Sequence, residues 1–462
     1  MAARQARAEA LLARVGERIA AQVAPGRSVC AAISGGLDST VLLDILARRR
    51  EAGGFVLSAL HVHHGLSPNA DRWAEACAGF ARSRAVELRV ERVRVDGASG
   101  AGLEAAARAA RHEAFRTAGT DFLALAHHRD DQAETVLLQA LRGAGIRGLS
   151  AMAGVRAVGA MVWLRPLLDE PREDLLAYAR EAGLAWVEDE SNATAAFDRN
   201  VVRHEVFPRL ARTFPQYRES LARLARHAAA AQEILDSVAR EDTDRISDGE
   251  GLVAARLAAL PAPRRANVLR YFLAGQHLPM PAEARLAEMA RQLMSPREDA
   301  RVLLHHGGRV LVRHRGRIVV QAPPPARPWR LPWQGDRVVD LGPDIGEVRF
   351  SEAAGSGIAL DRVAAGRWHF AHRAGGERIR LRPDGPSRTL KNLLQERAVP
   401  VWQRGRLPLL FDGGTLVWVP GVGIAAAYRA RGRDAGLDPV LAGPARGAAA
   451  DPAAAPCARM KS

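Results

Sequence analysis

Lysine and cysteine are scarce in this chain of 462 residues, and so are aromatic residues. Lysine occurs only at Lys391 and Lys461, which excludes a Walker loop in the N-terminal part, because that loop requires a lysine. The three cysteines, Cys30, Cys77 and Cys457, form no C-x-x-C pair. Their spacing excludes a disulfide framework and a cysteine-rich zinc site, and it indicates a reduced, cytoplasmic protein.

Long apolar runs are also missing. No segment approaches the roughly 18 uninterrupted apolar residues of a membrane span, so we expect no transmembrane helix and no membrane partner. Residues 1–22 lack the continuous apolar core of a signal peptide. They instead predict an amphipathic helix.

Positive charge, by contrast, is in excess, with a formal net charge of +15. Such a basic chain points to a polyanionic partner, and nucleic acid is the leading candidate. A genome rich in G and C would explain the excess of arginine over lysine. It would not explain the excess of positive over negative charge.

Short apolar runs alternate with helical patterns over residues 28–142. Repeated β-α units of this length predict an α/β fold with a doubly wound, mostly parallel sheet, which binds ligands at the carboxyl ends of its strands. The predicted strands are 28–33, 55–64, 86–95 and 121–128, and the predicted helices are 38–49, 70–84, 102–119 and 130–142.

Further along the chain we predict a helical connection and two small α+β domains. The predicted catalytic domain is followed by a connecting helix, a first C-terminal domain, a proline-rich linker, a second C-terminal domain and a disordered tail. In that order the boundaries are 1–215, 216–245, 246–322, 323–336, 337–442 and 443–462.

A glycine-rich turn, Ser34-Gly35-Gly36-Leu37-Asp38-Ser39, lies between the first predicted strand and helix. Adjacent glycines let backbone N–H groups face an anion, and the helix start adds its positive end, so we predict phosphate binding. The turn lacks the G-x-G-x-x-G spacing of dinucleotide-binding loops. Asp38 beside phosphates would be repulsive without a cation between them, which predicts Mg²⁺ with Asp38 as its ligand. The alternative explanation is that Asp38, at the start of a helix, only complements the helix dipole.

A second polar cluster follows the strand predicted at 121–128. His127 and His128 end that strand, and Asp130, Asp131 and Glu134 open the next helix. Asp131 and Glu134 are three residues apart and share one helical face. The group could position a cationic amine, bind Mg²⁺ or act as a base, whereas helix capping would explain the acids alone.

Arginine side chains recur near both clusters. Arg108 shares a predicted helix stripe with Glu104 and Arg111, and an exposed helix surface explains that stripe equally well. Arginines beside glycines, as in "RGAGIRGL", suit phosphate contact. The residues that we expect to position RNA or another substrate are Arg111, Arg142, Arg147, Arg199 and Asn200.

Together these segments resemble the tRNA(Ile)-lysidine synthase family of PP-loop ATP-pyrophosphatases, for which Ser-Gly-Gly-x-Asp-Ser after a strand is typical. Residues 373–424 are similar to the C-terminal domain of that family. His63 departs from the family, which usually has Asn there, and this questions a detail of the nucleotide pocket. Over residues 28–210 the matching segments, in family order, are SGGLDS, HVHHGL, the 104–111 stripe, LAHHRDDQAET with RGAGIRGL, RPLL, DESN and the 199–203 set.

The resemblance implies ATP-dependent ligation of free L-lysine to carbon 2 of the wobble cytidine in the isoleucine tRNA with a CAU anticodon. An adenylated intermediate forms with release of pyrophosphate, lysine then expels AMP, and codon reading changes from AUG to AUA. The "HVHHGL" strand end would meet the adenine. The oligomeric state stays open, with a homodimer as one alternative, and so does the general base. The implied ligands of ATP and Mg²⁺ are Ser34, Gly35, Gly36, Leu37, Asp38 and Ser39. The implied catalytic set is Asp38, His127, Asp131, Glu134, Arg108 and Arg203.

Three other functions explain the sequence less well. A PP-loop tRNA thiolase would use paired cysteines to carry sulfur or a cluster. A synthetase that makes NAD or GMP would not need a basic C-terminal domain. A non-catalytic RNA-binding adaptor would not need an intact loop with an acid cluster beside it.

Overall fold

The computed structural model describes residues 2–95, 103–188, 198–249, 251–294, 302–314, 316–321, 329–342, 345–397, 399 and 404–442. The chain divides into two compact units, residues 1–235 and 236–462, and the division falls inside one long helix. Within the described ranges, no helix combines the length and the apolar character needed to cross a bilayer.

The first unit is built around a six-stranded sheet. Its strands are β1 (Ser28–Ala32), β2 (Val56–His63), β3 (Glu87–Arg92), β4 (Phe122–Ala124), β5 (Val155–Val158) and β6 (Met161–Leu164). The spatial order is β3-β2-β1-β4-β6-β5, and all neighbours are parallel except the edge strand β5, which is antiparallel to β6. The prediction of an α/β fold with a mostly parallel sheet is confirmed.

Both faces of this sheet are covered, as the packing of β1 shows: alternate residues of this strand belong to different cores. Val29 and Ala31 belong to one core, whereas Cys30 packs with Phe115 on the other face. The helices of this unit are α1 (Ala2–Ala20), α2 (Leu37–Gly53), α3 (Ala70–Ser83), α4 (Leu103–Arg116), α5 (Arg129–Leu141), α6 (Ile146–Leu149), α7 (Arg172–Glu181), α8 (Asp198–Val201), a π-helical turn (Val202–Val206), α9 (Phe207–Thr213) and α10 (Tyr217–Ile246).

Most predicted elements occur with ends shifted by a few residues. The amphipathic helix predicted at the N-terminus is α1, which buries Leu11, Val15 and Ile19 at intervals of four. The strand predicted at 121–128 is wrong in its second half, because β4 ends at Ala124. His127 and His128 therefore lie in the turn and at the start of α5, outside the hydrogen-bonded strand.

The second unit contains small, mostly antiparallel sheets. Its helices are α11 (Ala254–Ala259), α12 (Ala262–Gly275), α13 (Glu283–Leu293), α14 (Leu360–Ala365) and α15 (Leu390–Glu396). Its strands are β7 (Leu252–Val253), β8 (Val302–His306), β9 (Arg309–His314), β10 (Arg317–Gln321), β11 (Arg330–Pro332), β12 (Val338–Asp340), β13 (Glu347–Ala354), β14 (Ile358–Ala359), β15 (Trp368–Ala371), β16 (Arg378–Ile379), β17 (Arg388–Thr389), β18 (Leu409–Asp412), β19 (Thr415–Val419), β20 (Gly423–Ile424) and β21 (Ala435–Ala442).

Part of the segment predicted as a proline-rich linker is structured. Strand β11 pairs with β15, and Trp333 is buried against Phe350. Proline is tolerated here because β11 is an edge strand, whose outer side needs no donor. The predicted disordered tail at 443–462 lies outside the described residues, as does the DESN segment.

Candidate active site

The polar motifs meet at a crevice between the neighbouring strands β1 and β4. From β1 the chain continues to β2 on one side, and from β4 it continues towards β6 on the other. In open parallel sheets, ligands bind where the strand order reverses in this way. The glycine-rich turn follows β1, and His127 and His128 follow β4, so both motifs lie at the carboxyl ends as predicted.

The glycine-rich turn is braced from inside by a serine. Ser39 Oγ accepts a hydrogen bond from the Ser34 N–H (3.1 Å) and donates to the Gly36 carbonyl (3.0 Å). The Gly35 carbonyl accepts from the Val187 N–H (2.9 Å). Among the described residues, no side chain caps the start of α2 at Gly36. The helix therefore presents its first N–H groups to the crevice, which suits a phosphate.

We expect Gly35→Ala to weaken ATP binding and to destabilise the first unit. Gly35 has a φ of +87°, which an L-residue rarely adopts, and an added Cβ would lie 3.2 Å from Cys77 Sγ. The expected cost is about 1–3 kcal/mol. ATP titration and urea unfolding measure the two effects. The matched control is Gly79→Ala in α3, where an added Cβ meets nothing within 4 Å. Parental stability and ATP affinity in Gly35→Ala would contradict this account of the turn.

Two cavities adjoin the turn and share Ser34, Gly36, Asp38 and Arg108 in their walls. Cavity 1, of about 220 Å³, has apolar walls that include Leu60, together with the side chains of Arg111, His127 and Arg165. Cavity 2, of about 690 Å³, is lined by charged groups of both signs. Its charged and aromatic lining residues include Trp73, His128, Asp131, Arg172, Trp186, Glu188, Arg199 and Arg203.

His128 joins the turn to the acid cluster. Its Nε2 lies 3.5 Å from Asp38 Oδ2 and 3.4 Å from Asp131 Oδ2. Its Nδ1 accepts the Asp130 N–H (3.2 Å), and the His128 N–H donates to Asp131, which forms a capping box. Burial lowers the pKa of His128, but Asp131 and Asp38 outweigh burial, so the pKa is raised overall.

His127 has the opposite environment. Its Nδ1 accepts a hydrogen bond from Arg165 Nε (3.3 Å), and burial, followed by neighbouring arginines, lowers the pKa of His127 to about 3 against the attraction of Asp131. A guanidinium only donates, so Nδ1 carries no proton and the ring is neutral, with its proton on Nε2. His127 therefore offers a neutral hydrogen-bond donor to cavity 1.

Asp131 and Glu134 hold two arginines. Glu134, which is 1% exposed, accepts from Arg199 Nε (2.6 Å) and from Arg203 Nε (2.7 Å). Arg199 also donates to Asp131 (3.0 Å). Burial raises the pKa of Asp131, but His128 and Arg199 outweigh it, and the pKa is about 2. The buried Glu134 and the half-buried Asp131 thus hold two guanidinium groups at the wall of cavity 2.

The remaining predicted residues fall into two groups. Arg108 and Arg111 line both cavities, and the buried Asn200 lines cavity 2. Arg142 and Arg147 are exposed and line neither cavity, and Arg142 pairs with Asp198 (2.8 Å). The side chain of Glu104 lies outside the described part of the chain. The role of each of these residues stays a prediction.

His63, which departs from the family pattern, lines neither cavity. Its ring contacts Asp71 (3.2 Å) and Arg92 (3.3 Å), and His64 lines both cavities instead. Successive residues at a strand end face opposite sides, which explains this division. The departure at position 63 thus leaves the described cavity walls unchanged.

Sequence reasoning missed two residues of the site. One is His128, whose own role the sequence does not show, because histidine is not among the residues preferred at the start of a helix. The other is Arg165, which directly follows the apolar strand β6. A polar residue directly after a strand is the same signal that identified the histidines after β4. Burial, followed by the nearby Arg156 and Arg108, lowers the pKa of Arg165 to about 10.

The fold and the turn together define a class. A parallel sheet whose first strand leads into Ser-Gly-Gly-x-Asp-Ser and a helix is the architecture of a PP-loop ATP-binding domain. Residues 6–210 match the family model described as "PP-loop domain". The chain is thus an ATP-binding protein of the PP-loop class.

Two further domain models and the comparison with whole proteins identify the family within this class. Residues 252–319 match the "TilS substrate binding domain" and residues 369–440 the "TilS substrate C-terminal domain". The "tRNA(Ile)-lysidine synthase" of Azoarcus sp. (strain BH72) is 44% identical over 91% of this chain and 93% of its own. That of Chromobacterium violaceum is 44% identical over 86% and 91%, respectively. The chain belongs to the tRNA(Ile)-lysidine synthase family, whose members are ATP-dependent ligases of the PP-loop class.

Proposed function

We propose that this protein ligates free L-lysine to carbon 2 of the wobble cytidine of the isoleucine tRNA with a CAU anticodon. One observation of the site carries the proposal. Asp38 of the turn and Asp131 of the acid cluster meet at a single imidazole, that of His128. A reaction that first adenylates a base and then admits an amine needs its nucleotide loop and its amine-binding groups this close together. A cytoplasmic location and a homodimer stay predictions.

Cavity 1 suits the nucleoside end of ATP. Its apolar walls fit the faces of an adenine, and the turn with the uncapped start of α2 suits the phosphates. Arg108, Arg111 and Arg165 place positive charge around the same space. Positive groups fixed in advance stabilise the negative charge that accumulates on AMP when it leaves.

The donor set at the turn fits Mg²⁺. Asp38 Oδ1 is buried and has no hydrogen-bond partner among the described residues, and Arg172 Nε lies 4.0 Å from it. Within the same part of the chain, no three His, Cys, Asp or Glu side chains form a complete metal site. Mg²⁺ is commonly held by one or two carboxylates together with substrate phosphates, so Asp38 would hold it. When bound, the ion neutralises negative charge between the phosphate oxygens and this carboxylate.

Cavity 2 suits the lysine and the tRNA base. A free amino acid carries charges of both signs, and Asp131, Glu188, Arg172 and Arg199 supply the complementary groups. Asp131, with a pKa of about 2, is a poor proton acceptor at neutral pH and is better suited to attract the ammonium group. A base in an anticodon loop is unpaired, so its entry costs only unstacking.

Labelled lysine tests the proposal. Incubation of the protein with ATP, labelled lysine and isoleucine tRNA with a CAU anticodon should transfer one lysine to each tRNA. A methionine tRNA with the same anticodon is the control and should stay unlabelled. Incorporation of sulfur or ammonia in place of lysine would contradict the proposal.

A further inference from the structure

An exposed aromatic side chain lies at the end of α9. Phe214 is 61% exposed, whereas Phe207 and Tyr217 on either side are buried. The Phe214 N–H donates to the Leu210 carbonyl (2.7 Å), and its own carbonyl accepts from the Tyr217 N–H (3.0 Å). Pro215 follows and prevents the helix from continuing. The ring is therefore presented to solvent on a backbone that is held in place.

The same segment is packed against α5, which carries Asp131 and Glu134. Phe207, Tyr217 and Val202 form a small core with Ala133 of α5, and the rings of Phe207 and Tyr217 lie 4.7 Å apart. Residues 198–213 form one continuous helical run. Phe214 thus lies roughly 16 Å along this run from Arg203, at 1.5 Å per residue. A few nucleotides of RNA span that separation.

Phe214 also lines a third cavity, of about 300 Å³. Val206 and Leu210 give it apolar walls, and Glu205 and Arg209 lie at its edge. Both residues are exposed, and their side chains form no ion pair or hydrogen bond with the described residues. A single exposed apolar side chain is ordinary on a protein surface. An exposed ring beside a cavity offers a stacking surface for an unstacked base, and the two charged groups offer hydrogen bonds to its edge and contact with its phosphate.

We propose that this cavity, called the Phe214 pocket, binds one unstacked base of the tRNA anticodon loop. The base stacks on Phe214, Arg209 contacts a neighbouring phosphate, and Glu205 accepts a hydrogen bond from an exocyclic amino group. The inference rests on the proposed function and adds a site outside cavities 1 and 2. It explains how a loop base near the wobble cytidine is held while the cytidine reacts.

Steady-state kinetics of the full-length protein test this site. Phe214→Ala and Phe214→Leu should each raise the KM for tRNA about tenfold, because the loss of one stacked base corresponds to a factor of about 5 to 150. The kcat and the KM for ATP should stay unchanged, and Phe214→Tyr should retain the parental KM for tRNA. The matched control is Val56→Ala, which shortens another exposed side chain, 65% exposed at the amino end of β2. Full activity in Phe214→Leu would show that apolar area suffices and would overturn the proposal.

Fluorescence locates the base. In tRNAs that carry 2-aminopurine at one anticodon-loop position at a time, one position should be quenched by the parent protein and not by Phe214→Ala. Quenching at no position would overturn the proposal. The labelled-lysine assay separates the two failures: a parent that transfers no lysine contradicts the proposed function, whereas a parent that transfers lysine with Phe214 variants of unchanged KM contradicts only this site.

Discussion

Asp38→Ala should abolish adenylation of the tRNA while leaving tRNA affinity largely intact. One oxygen of Asp38 is buried and has no hydrogen-bond partner in the described ranges, and the other faces His128. The substitution removes the carboxylate that we propose holds Mg²⁺, and we expect a loss of at least about 10³-fold in kcat. It removes nothing that contacts RNA outside the crevice. Release of pyrophosphate in the presence of tRNA measures the first effect, and a filter-binding titration measures the second.

The matched control for this variant is Asp71→Ala. Asp71 is an exposed carboxylate that pairs with Arg92 and His63 and lines neither cavity. The Asp71→Ala variant should retain nearly parental adenylation, because surface ion pairs contribute at most about 1 kcal/mol to stability. Equal loss of adenylation and of tRNA binding in Asp38→Ala would contradict the role assigned to the turn.

Glu134→Gln should both destabilise the first unit and eliminate turnover. The buried carboxylate accepts hydrogen bonds from Arg199 and Arg203, so its loss leaves two guanidinium groups with insufficient negative charge. Breaking a buried pair from one side typically costs about 3–5 kcal/mol. The midpoint of urea-induced unfolding and the rate of lysine transfer report the two effects.

An exposed pair gives the control for Glu134. Glu219 pairs with Arg129 at the surface, and Glu219→Gln should change the unfolding midpoint little. A second variant keeps the interpretation testable: adding Arg203→Gln to Glu134→Gln should cost less than the sum of the single substitutions, because it removes one uncompensated charge. Strictly additive costs would show that the two residues do not act as the pair described.

The sequence carries most of the fold because alternating strand and helix patterns are local. The proximity of the main site residues could also be predicted, since polar residues that directly follow parallel strands share one edge of the sheet. Two features lay beyond local patterns. The short β4 ends where the chain must turn towards the crevice, and β11 is a strand because β15 offers it an edge.

The division of labour between the two histidines is a tertiary property. His127 and His128 are adjacent in the chain, but one ring accepts from Arg165 and the other lies between Asp38 and Asp131. The guanidinium of Arg165 and the carboxylate of Asp38 come from distant segments, so the neighbouring sequence does not reveal which charge each ring faces. The same holds for Glu134, whose two arginine partners follow more than 60 residues later.

In the proposed reaction, ATP activates an oxygen of the tRNA base, and the amine of lysine then displaces this oxygen as part of the leaving AMP. The most direct measurement is the fate of ¹⁸O placed on carbon 2 of the wobble cytidine. Adenylation joins this oxygen to the α-phosphorus, and attack of the amine at carbon 2 breaks the carbon–oxygen bond. One ¹⁸O should therefore appear in the released AMP and none in the tRNA product. Label that remains in the tRNA, with unlabelled AMP, would contradict it.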